Sequence, residues 1–204
     1  MQIGDHIYFG KYKWKILDIQ GGAALMITED IAELRAYHDK PGAVTWAECE
    51  LRRYLNGEFL HGFTEEEKLR IRPTAMTNHN NPWFDTIGGD DTVDRIFLLS
   101  IEEAVCKYFG DSSNNLRIPN GRYKYWFNRK DGNNAKRVSG YLGYIWWWWL
   151  RSPGRTSMKA AYVHGDGNIG IQGNNAQKCN LSGVYHPVNQ DVRGGVRPVL
   201  WMNL

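Results

Sequence analysis

Four consecutive tryptophans begin the stretch WWWWLRSPG, residues 146–154. In an extended strand successive side chains point to opposite faces. We therefore predict that Trp146 and Trp148 share one face of a strand, and that Trp147 and Trp149 share the other. Aromatic residues are enriched in strands. The run indicates a β-strand close to the hydrophobic core.

Short strands are predicted along the rest of the chain from alternation and turn residues. They cover residues 7–9, 14–19, 23–28, 95–99, 144–151, 160–163, 168–171 and 196–202. Three capping boxes, each a Ser or Thr followed three residues later by Glu, predict helix starts at Thr45, Thr64 and Ser100. The first helix should stop near Gly57 and the third at Gly110, after which no helical period follows. This order predicts an α+β fold of antiparallel strands, with helices in the N-terminal half and an irregular, loop-rich β C-terminal half.

Composition and charge exclude several classes of protein. The 204 residues carry a net charge of +3, all of which arises from Gly154 onward, where basic residues are scattered singly. A nucleic-acid-binding protein would show a basic stripe, so nucleic acid is not an expected partner. The sequence shows neither a secretory signal nor an apolar run that could insert into a membrane. A cytoplasmic, virion-associated or exported location stays open, as does the oligomeric state.

The residues also indicate neither a metal site nor a catalytic one. Cys49, Cys106 and Cys179 are far apart and form no CxxC pair. The six histidines lack the HxxxH or HxH spacing of metal ligands. We therefore expect no cofactor, no metal and no enzymatic activity.

Several residues of the tail are expected to serve the structure. Trp148, Trp149, Leu150 and Trp201 are predicted core residues. We expect Arg151, Ser152 and Arg197 to bind loop carbonyls and other backbone groups of the irregular half. At least one of Trp146 and Trp147 should reach solvent, where a flat amphipathic ring suits a sugar face or a protein partner.

The run WWLRSPG (residues 148–154), with AAYV at 160–163 and GVRPVLW at 195–201, resembles a family of bacterial and phage proteins. Its members read approximately WWLRSPG, then A-x-V-x-x-D-G, then GVRPALW, and the similarity extends over essentially the whole chain. The tail also resembles the C-type-lectin-fold variable proteins of diversity-generating retroelements. That fold is shared with formylglycine-generating oxidases and with sugar-binding lectins.

This resemblance implies a single C-type-lectin-like domain over residues 1–204, with a scaffold at 1–145 and a ligand-binding, variable region at 146–204. The implied function is recognition of a protein or glycan, on a cell surface. The candidate ligand-binding residues are Trp146, Trp147, Arg155, Tyr162, His164, Asp166, Asn168, Ile171, Asn174, Tyr185 and His186.

Adenine-directed mutagenesis of an AAC codon yields a restricted set of residue types. Tyr162, His164, Asp166, Asn168 and Ile171 belong to that set, whereas Gln172, Lys178 and Gln190 do not. Two alternatives remain: a fixed carbohydrate-binding module that stacks sugars on Trp146 or Trp147, and an oxidase-like enzyme. The related oxidases use a cysteine pair, whereas Cys179 stands alone in this tail.

Overall fold

The computed structural model describes residues 1–117, 127–177 and 193–204. Its strands are β1 (His6–Phe9), β2 (Tyr12–Gln20), β3 (Ala23–Thr28), β4 (Glu33–Arg35), β5 (Ile71–Arg72), β6 (Thr74–Met76), β7 (Thr92–Asp94), β8 (Ser139–Tyr141), β9 (Tyr144–Trp146), β10 (Trp148–Pro153), β11 (Lys159–Val163), β12 (Ile169–Asn175), β13 (Gly194–Val196) and β14 (Val199–Asn203). The α-helices are α1 (Glu50–Tyr54), α2 (Glu65–Arg70), α3 (Asn114–Arg117) and α4 (Asn134–Arg137). A 3₁₀ turn covers Trp46–Glu48, and π-helical turns cover Leu55–Phe59 and Glu103–Lys107.

Two five-stranded sheets enclose the core. The first has the order β1-β2-β3-β14-β5 and the second β12-β11-β10-β13-β4, and all their pairs are antiparallel except β10 with β13. Two separate hairpins, β6–β7 and β8–β9, complete the strands of the described ranges. The predicted α+β class with mostly antiparallel strands is confirmed. None of the helices in these ranges has the length and apolar composition to cross a bilayer.

Two predicted strands are each divided in the structure. The strand predicted over 144–151 is interrupted at Trp147, whose carbonyl accepts a bond from Gly195 N, so that β9 pairs with β8 while β10 joins the second sheet. The strand predicted over 196–202 is interrupted at residues 197–198, because Pro198 has no N–H to donate to a ladder. The chain changes from the second sheet to the first at this point.

The strand predicted over residues 95–99 is wrong. The backbone N–H groups of Arg95 and Ile96 donate to Asn56 Oδ1, and a side chain therefore takes the place of a neighbouring strand. Only Phe97 forms an isolated bridge, to Val199. The strand in this part of the chain is β7, directly upstream.

The capping predictions have mixed outcomes. Thr64 and Glu67 form the reciprocal capping box of α2, and Ser100 and Glu103 exchange the same two bonds. The Thr45 box is wrong: Thr45 precedes the 3₁₀ turn without capping it, and Cys49 Sγ accepts from Arg52 N at the start of α1. The helix also passes the predicted stop at Gly57 through the π-helical turn, and one-turn helices α3 and α4 follow Gly110.

The buried arginines connect the two sheets to their loops, as predicted. Arg151 Nη1 donates to Leu98 O at 2.8 Å, and Arg151 Nη2 lies 3.0 Å from Glu103 Oε1. Arg197 donates to the carbonyl oxygens of Thr28 and Glu29. Trp148, Trp149 and Leu150 are fully buried, whereas Trp201 is only partly buried, which corrects its assignment to the core. On β14 the core side is taken by Leu200 and Met202, and Trp201 points to the other face.

Candidate functional site

The residues predicted to form one binding surface lie at opposite ends of the second sheet. In the β10–β11 pair Trp148 lies opposite Val163, and Pro153 lies opposite Ala160. The neighbouring residues Trp147 and His164 are therefore at one end, and Arg155 is at the other. A six-residue strand is roughly 20 Å long. We call the first location the hairpin end and the second the Arg155 end.

The hairpin end carries an exposed apolar group that sequence reasoning missed. Leu142, Tyr144 and Ile145, in the β8–β9 hairpin, are 79%, 77% and 67% exposed. A Cβ built at Gly165 would lie 3.2 Å from Ile145 Cγ2, so the hairpin contacts the β11–β12 turn that presents His164 and Asp166. The sequence signal for this exposed hairpin was the segment YLGYIW (141–146), in which apolar and aromatic residues flank a glycine that favours a turn.

The turn of this hairpin holds a leucine in an unusual conformation. Leu142 has φ of 50° and Gly143 has φ of 84°, and Tyr141 pairs with Tyr144 around them. Two positive φ values define the tight turn that favours Asn-Gly, because a branched side chain is strained in the left-handed region. The fold thus keeps a strained leucine at a position where its side chain faces water.

Trp147 and its neighbours form the floor beside the hairpin. The Trp147 ring meets Trp149 at a centroid distance of 4.6 Å and Tyr162 at 5.4 Å, both edge to face. A Cβ at Gly194 would lie 2.4 Å from Trp147 Cζ3, so only glycine lets these rings approach the backbone. Trp146 is also partly buried, and its indole N–H donates to Arg193 O at 3.4 Å.

Two tryptophans keep an unused donor. Of the eight tryptophans in the described ranges, six donate the indole N–H to a protein oxygen. Trp147 and Trp201 have no such acceptor within those ranges, and both side chains are partly exposed. Neither nitrogen is among the buried atoms that lack a partner, so both reach solvent. An indole that reaches solvent offers a ligand both a flat ring and a hydrogen-bond donor.

The β11–β12 turn presents a preorganised polar pair. His164 Nδ1 lies 3.1 Å from Asp166 Oδ1, and the same oxygen accepts from Asn168 N at 3.0 Å. The backbone closes the turn with a bond from His164 N to Asn168 O at 2.7 Å. Both side chains of the pair are exposed, as the surface prediction required.

Three other members of the predicted site are buried. Tyr162 is 5% exposed, and Asn168 and Ile171 are fully buried, so the expectation that they form a binding surface is not met. The Tyr162 ring lies against Gly170, where a Cβ would meet Cε1 at 2.2 Å, and burial raises the pKa of its hydroxyl. These side chains support the surface from beneath. Tyr185 and His186 lie outside the described residues.

At the Arg155 end, a loop over residues 77–91 packs beside the β10–β11 turn. The Arg155 guanidinium lies 5.8 Å from the Phe84 ring centre, and Thr86 Oγ1 donates to Arg155 O. The buried Asn81 amide donates to the carbonyls of Pro153 and Ile171. Asn174 is partly buried on β12 at this same end.

A cleft of about 250 Å³ lies beside β4, and the side chains lining it interact with one another. The Arg35 guanidinium sits 3.4 Å from the Tyr54 ring centre and pairs with Glu33 at 2.8 Å. Burial, reinforced by Glu33, raises the pKa of the Tyr54 hydroxyl. The face of this tyrosine is thus already occupied by the protein's own cation.

The thiols of the described ranges are held in the protonated state. Burial raises the pKa of Cys49 to about 12, and burial and nearby carboxylates raise that of Cys106. Cys179 lies outside the described residues. Within the described ranges no group of three or more His, Cys, Asp or Glu side chains could hold a metal ion. The hairpin end presents apolar side chains, an indole donor and one polar pair.

Comparison with known families finds a match over most of the chain. A family model described as "Domain of unknown function (DUF6273)" matches residues 21–204. No curated protein and no solved structure matches the chain significantly. The matched segment runs from the β2–β3 turn to the C-terminal residue and includes both ends of the second sheet. The chain belongs to the DUF6273 family.

Proposed function

We propose that this protein is a ligand-binding protein with a C-type-lectin-like fold, and that it recognises a partner on a cell surface with its hairpin end. Three features support this fold. The strands nearest both termini, β1 and β14, lie in one sheet, and a loop-rich second sheet carries the tail. Few helices accompany them.

The observation that carries the proposal is the exposed, strained Leu142. Backbone strain in a folded protein persists where the surrounding structure enforces it, and it clusters at functional positions. Leu142, Tyr144 and Ile145 expose two aliphatic side chains and one aromatic side chain on this one hairpin. Exposed apolar groups with a polar rim mark protein interaction sites, and the β11–β12 turn against Ile145 supplies His164 and Asp166 as such a rim.

Aliphatic side chains favour a protein over a glycan as the ligand of this end. A sugar offers hydroxyl groups that need hydrogen-bonding partners, and neither Leu142 nor Ile145 supplies one. Retroelement diversification remains part of the proposal, restricted to the exposed positions: His164 and Asp166 present their side chains to a partner, whereas Ile171 has no access to one.

The proposal is tested with the substitution Leu142→Asn. Asn suits the left-handed turn position better than leucine, so the variant should fold at least as well while its apolar tip is gone. Binding is measured on an array of purified bacterial surface proteins. We expect the wild type and the control Tyr8→Asn, which changes an exposed tyrosine on β1, to bind one member, and Leu142→Asn to lose that binding. Equal binding by all three proteins would overturn the proposal.

A fixed carbohydrate-binding module is the second candidate function. It is favoured by the unused indole N–H of Trp147, since a ring with a free donor can both stack against a sugar and bind its hydroxyl group. On a glycan array this candidate predicts binding by the wild type that Trp147→Phe weakens and Leu142→Asn leaves intact. Binding that both variants keep would exclude Trp147 as the platform.

A further inference from the structure

Trp201 forms part of an open cleft of about 390 Å³ on the first sheet, away from the second sheet that carries the hairpin end. The cleft is lined by Gln20, Gly21, Arg72, Pro73, Thr74 and Ala75 in addition to the tryptophan. These residues come from the β2–β3 turn, from β5 and β6, and from β14. Two segments distant in sequence thus converge on the partly exposed indole of a third.

The register of the first sheet places a guanidinium beside this indole. Trp201 lies directly opposite Arg72 in the β14–β5 pair. Residues opposite one another on an antiparallel pair have Cβ atoms roughly 5 Å apart, and their side chains share a face. The two side chains therefore leave the sheet as neighbours, and both line the cleft.

Arg72 is held in place with part of its donor capacity unused. Its Nε donates to Asn203 Oδ1 at 3.1 Å, and its Nη2 donates to Gly21 O at 3.0 Å. Within the described residues Nη1 has no acceptor, and it lies 3.8 Å from the position that a Cβ would take at Gly21, a residue of the cleft lining. A guanidinium fixed by two bonds loses little conformational freedom when it makes a third.

The second unused donor is the Trp201 indole N–H, which reaches solvent without a protein acceptor in the described ranges. None of the seven lining residues carries a carboxylate. Asp18, next to Gln20, is engaged, since its carboxylate accepts from Gln20 Nε2 and from Ile19 N. The cleft therefore combines a flat ring and a fixed positive charge. Its two donors without a protein acceptor in the described ranges are Trp201 Nε1 and Arg72 Nη1.

We propose that this cleft binds a sugar unit that bears a carboxylate. The apolar C–H face of a pyranose ring packs on Trp201, and the carboxylate accepts from Arg72 Nη1. A charge-assisted bond to a guanidinium is about twice as strong as a neutral one, so the acidic group gives the site its selectivity. The site is separate from the hairpin end. Its test therefore does not depend on whether the proposed function is correct.

The test follows the Trp201 indole N–H by NMR in the ¹⁵N-labelled full chain, with methyl β-glucuronide as the probe and methyl β-glucoside as its neutral match. The signal is assigned by its disappearance in Trp201→Phe. We expect the signal to shift with millimolar glucuronide, and to shift less with glucoside at the same concentration. The signal of Trp147 should not move.

Arg72→Gln should weaken glucuronide binding about tenfold, the effect of losing one charged hydrogen bond, and leave glucoside binding unchanged. The matched control is Arg53→Gln, on an exposed arginine of α1. If Arg72→Gln proves unstable, Arg72→Lys keeps the charge without the planar fork and should also weaken glucuronide binding. Equal shifts with both sugars, or no shift with glucuronide, would overturn the proposal.

Discussion

Arg52 Nε lies 2.7 Å from Asp94 Oδ1, and the carboxylate of Asp94 is completely shielded from solvent. The other oxygen of Asp94 accepts from Trp46 Nε1 at 2.9 Å and from Thr92 Oγ1 at 2.8 Å. One buried carboxylate thereby joins α1, the 3₁₀ turn before it and β7. Asp94 belongs to the scaffold and is distinct from the surface that we propose for recognition.

Replacing Asp94 with Asn should destabilise the fold by about 3 kcal/mol. The donors on Arg52, Trp46 and Thr92 would then lose their charged acceptor. Urea unfolding followed by tryptophan fluorescence measures the change. Asp90→Asn, on an exposed residue of the loop that precedes β7, is the control and should change the free energy of unfolding little. Equal losses in the two variants would contradict the role assigned to Asp94.

Because of Cys49, we expect the free energy of unfolding to decrease as the pH rises into the alkaline range. Burial raises its pKa to about 12 in the folded protein, whereas an unfolded thiol titrates near 9. The folded-state pKa is thus above the unfolded one, so the contribution of the neutral thiol is complete below pH 9 and is lost as the pH rises toward 12. Each group of this kind lowers the free energy of unfolding by about 1.4 kcal/mol per pH unit within its window.

The variant Cys49→Ser isolates the contribution of Cys49 to this pH dependence, because serine can still accept from Arg52 N and does not titrate in this range. Its free energy of unfolding should fall less steeply between pH 9 and pH 10 than that of the wild type. Tyr8→Phe removes an exposed phenol and serves as the control. Parallel slopes for Cys49→Ser and the wild type would show that this thiol is not protected by burial.

Leu142→Asn should raise the free energy of unfolding by about 1 kcal/mol, since the left-handed conformation costs a leucine more than an asparagine. The measurement is a urea titration at neutral pH. Leu142→Ala keeps the backbone penalty while it removes the exposed side chain, and should show no such gain. A loss of stability in Leu142→Asn would mean that the leucine side chain contributes to the folded state.

Gly194→Ala should destabilise the protein by about 2 kcal/mol, the usual effect of forcing an extra methyl group into a packed site. The new Cβ would meet Trp147 Cζ3 and Trp149 Nε1 at 2.4 Å, and neither ring can move without disturbing its neighbours. The near-ultraviolet circular dichroism spectrum should also change, because the tryptophan rings move. Gly132→Ala, where a Cβ meets nothing within 4 Å, is the control and should leave both the stability and the spectrum unchanged.

Sequencing of the coding region across a population tests diversification at the residue level. Codons for His164 and Asp166, whose side chains are exposed, should vary with adenine-directed changes. Codons for Asn168 and Ile171 should stay constant, because substitutions there would enter the core. Invariance at both exposed positions, with no near-copy template nearby, would remove the retroelement part of the proposal.

Local signals predicted part of the scaffold. The bounds of β3 match the prediction at both ends, and the boxes at Thr64 and Ser100 were found because a capping box involves only neighbouring residues. The site was harder to predict, because it depends on which residues meet across paired strands, as when the β10–β11 pairing brings Trp147 against Tyr162. The burial of Tyr162 likewise depends on Gly170 across the strand pair.

The interruption at residues 197–198 gives the last strands a role in the timing of folding. Its two sides supply β13, which lies between β10 and β4, and β14, which lies between β3 and β5. Each is an interior strand, so neither sheet can close on a ribosome-bound chain until residues 194–203 have emerged. We expect chains interrupted before this segment to lack both ladders, and therefore to be more open to proteolysis than chains that carry it.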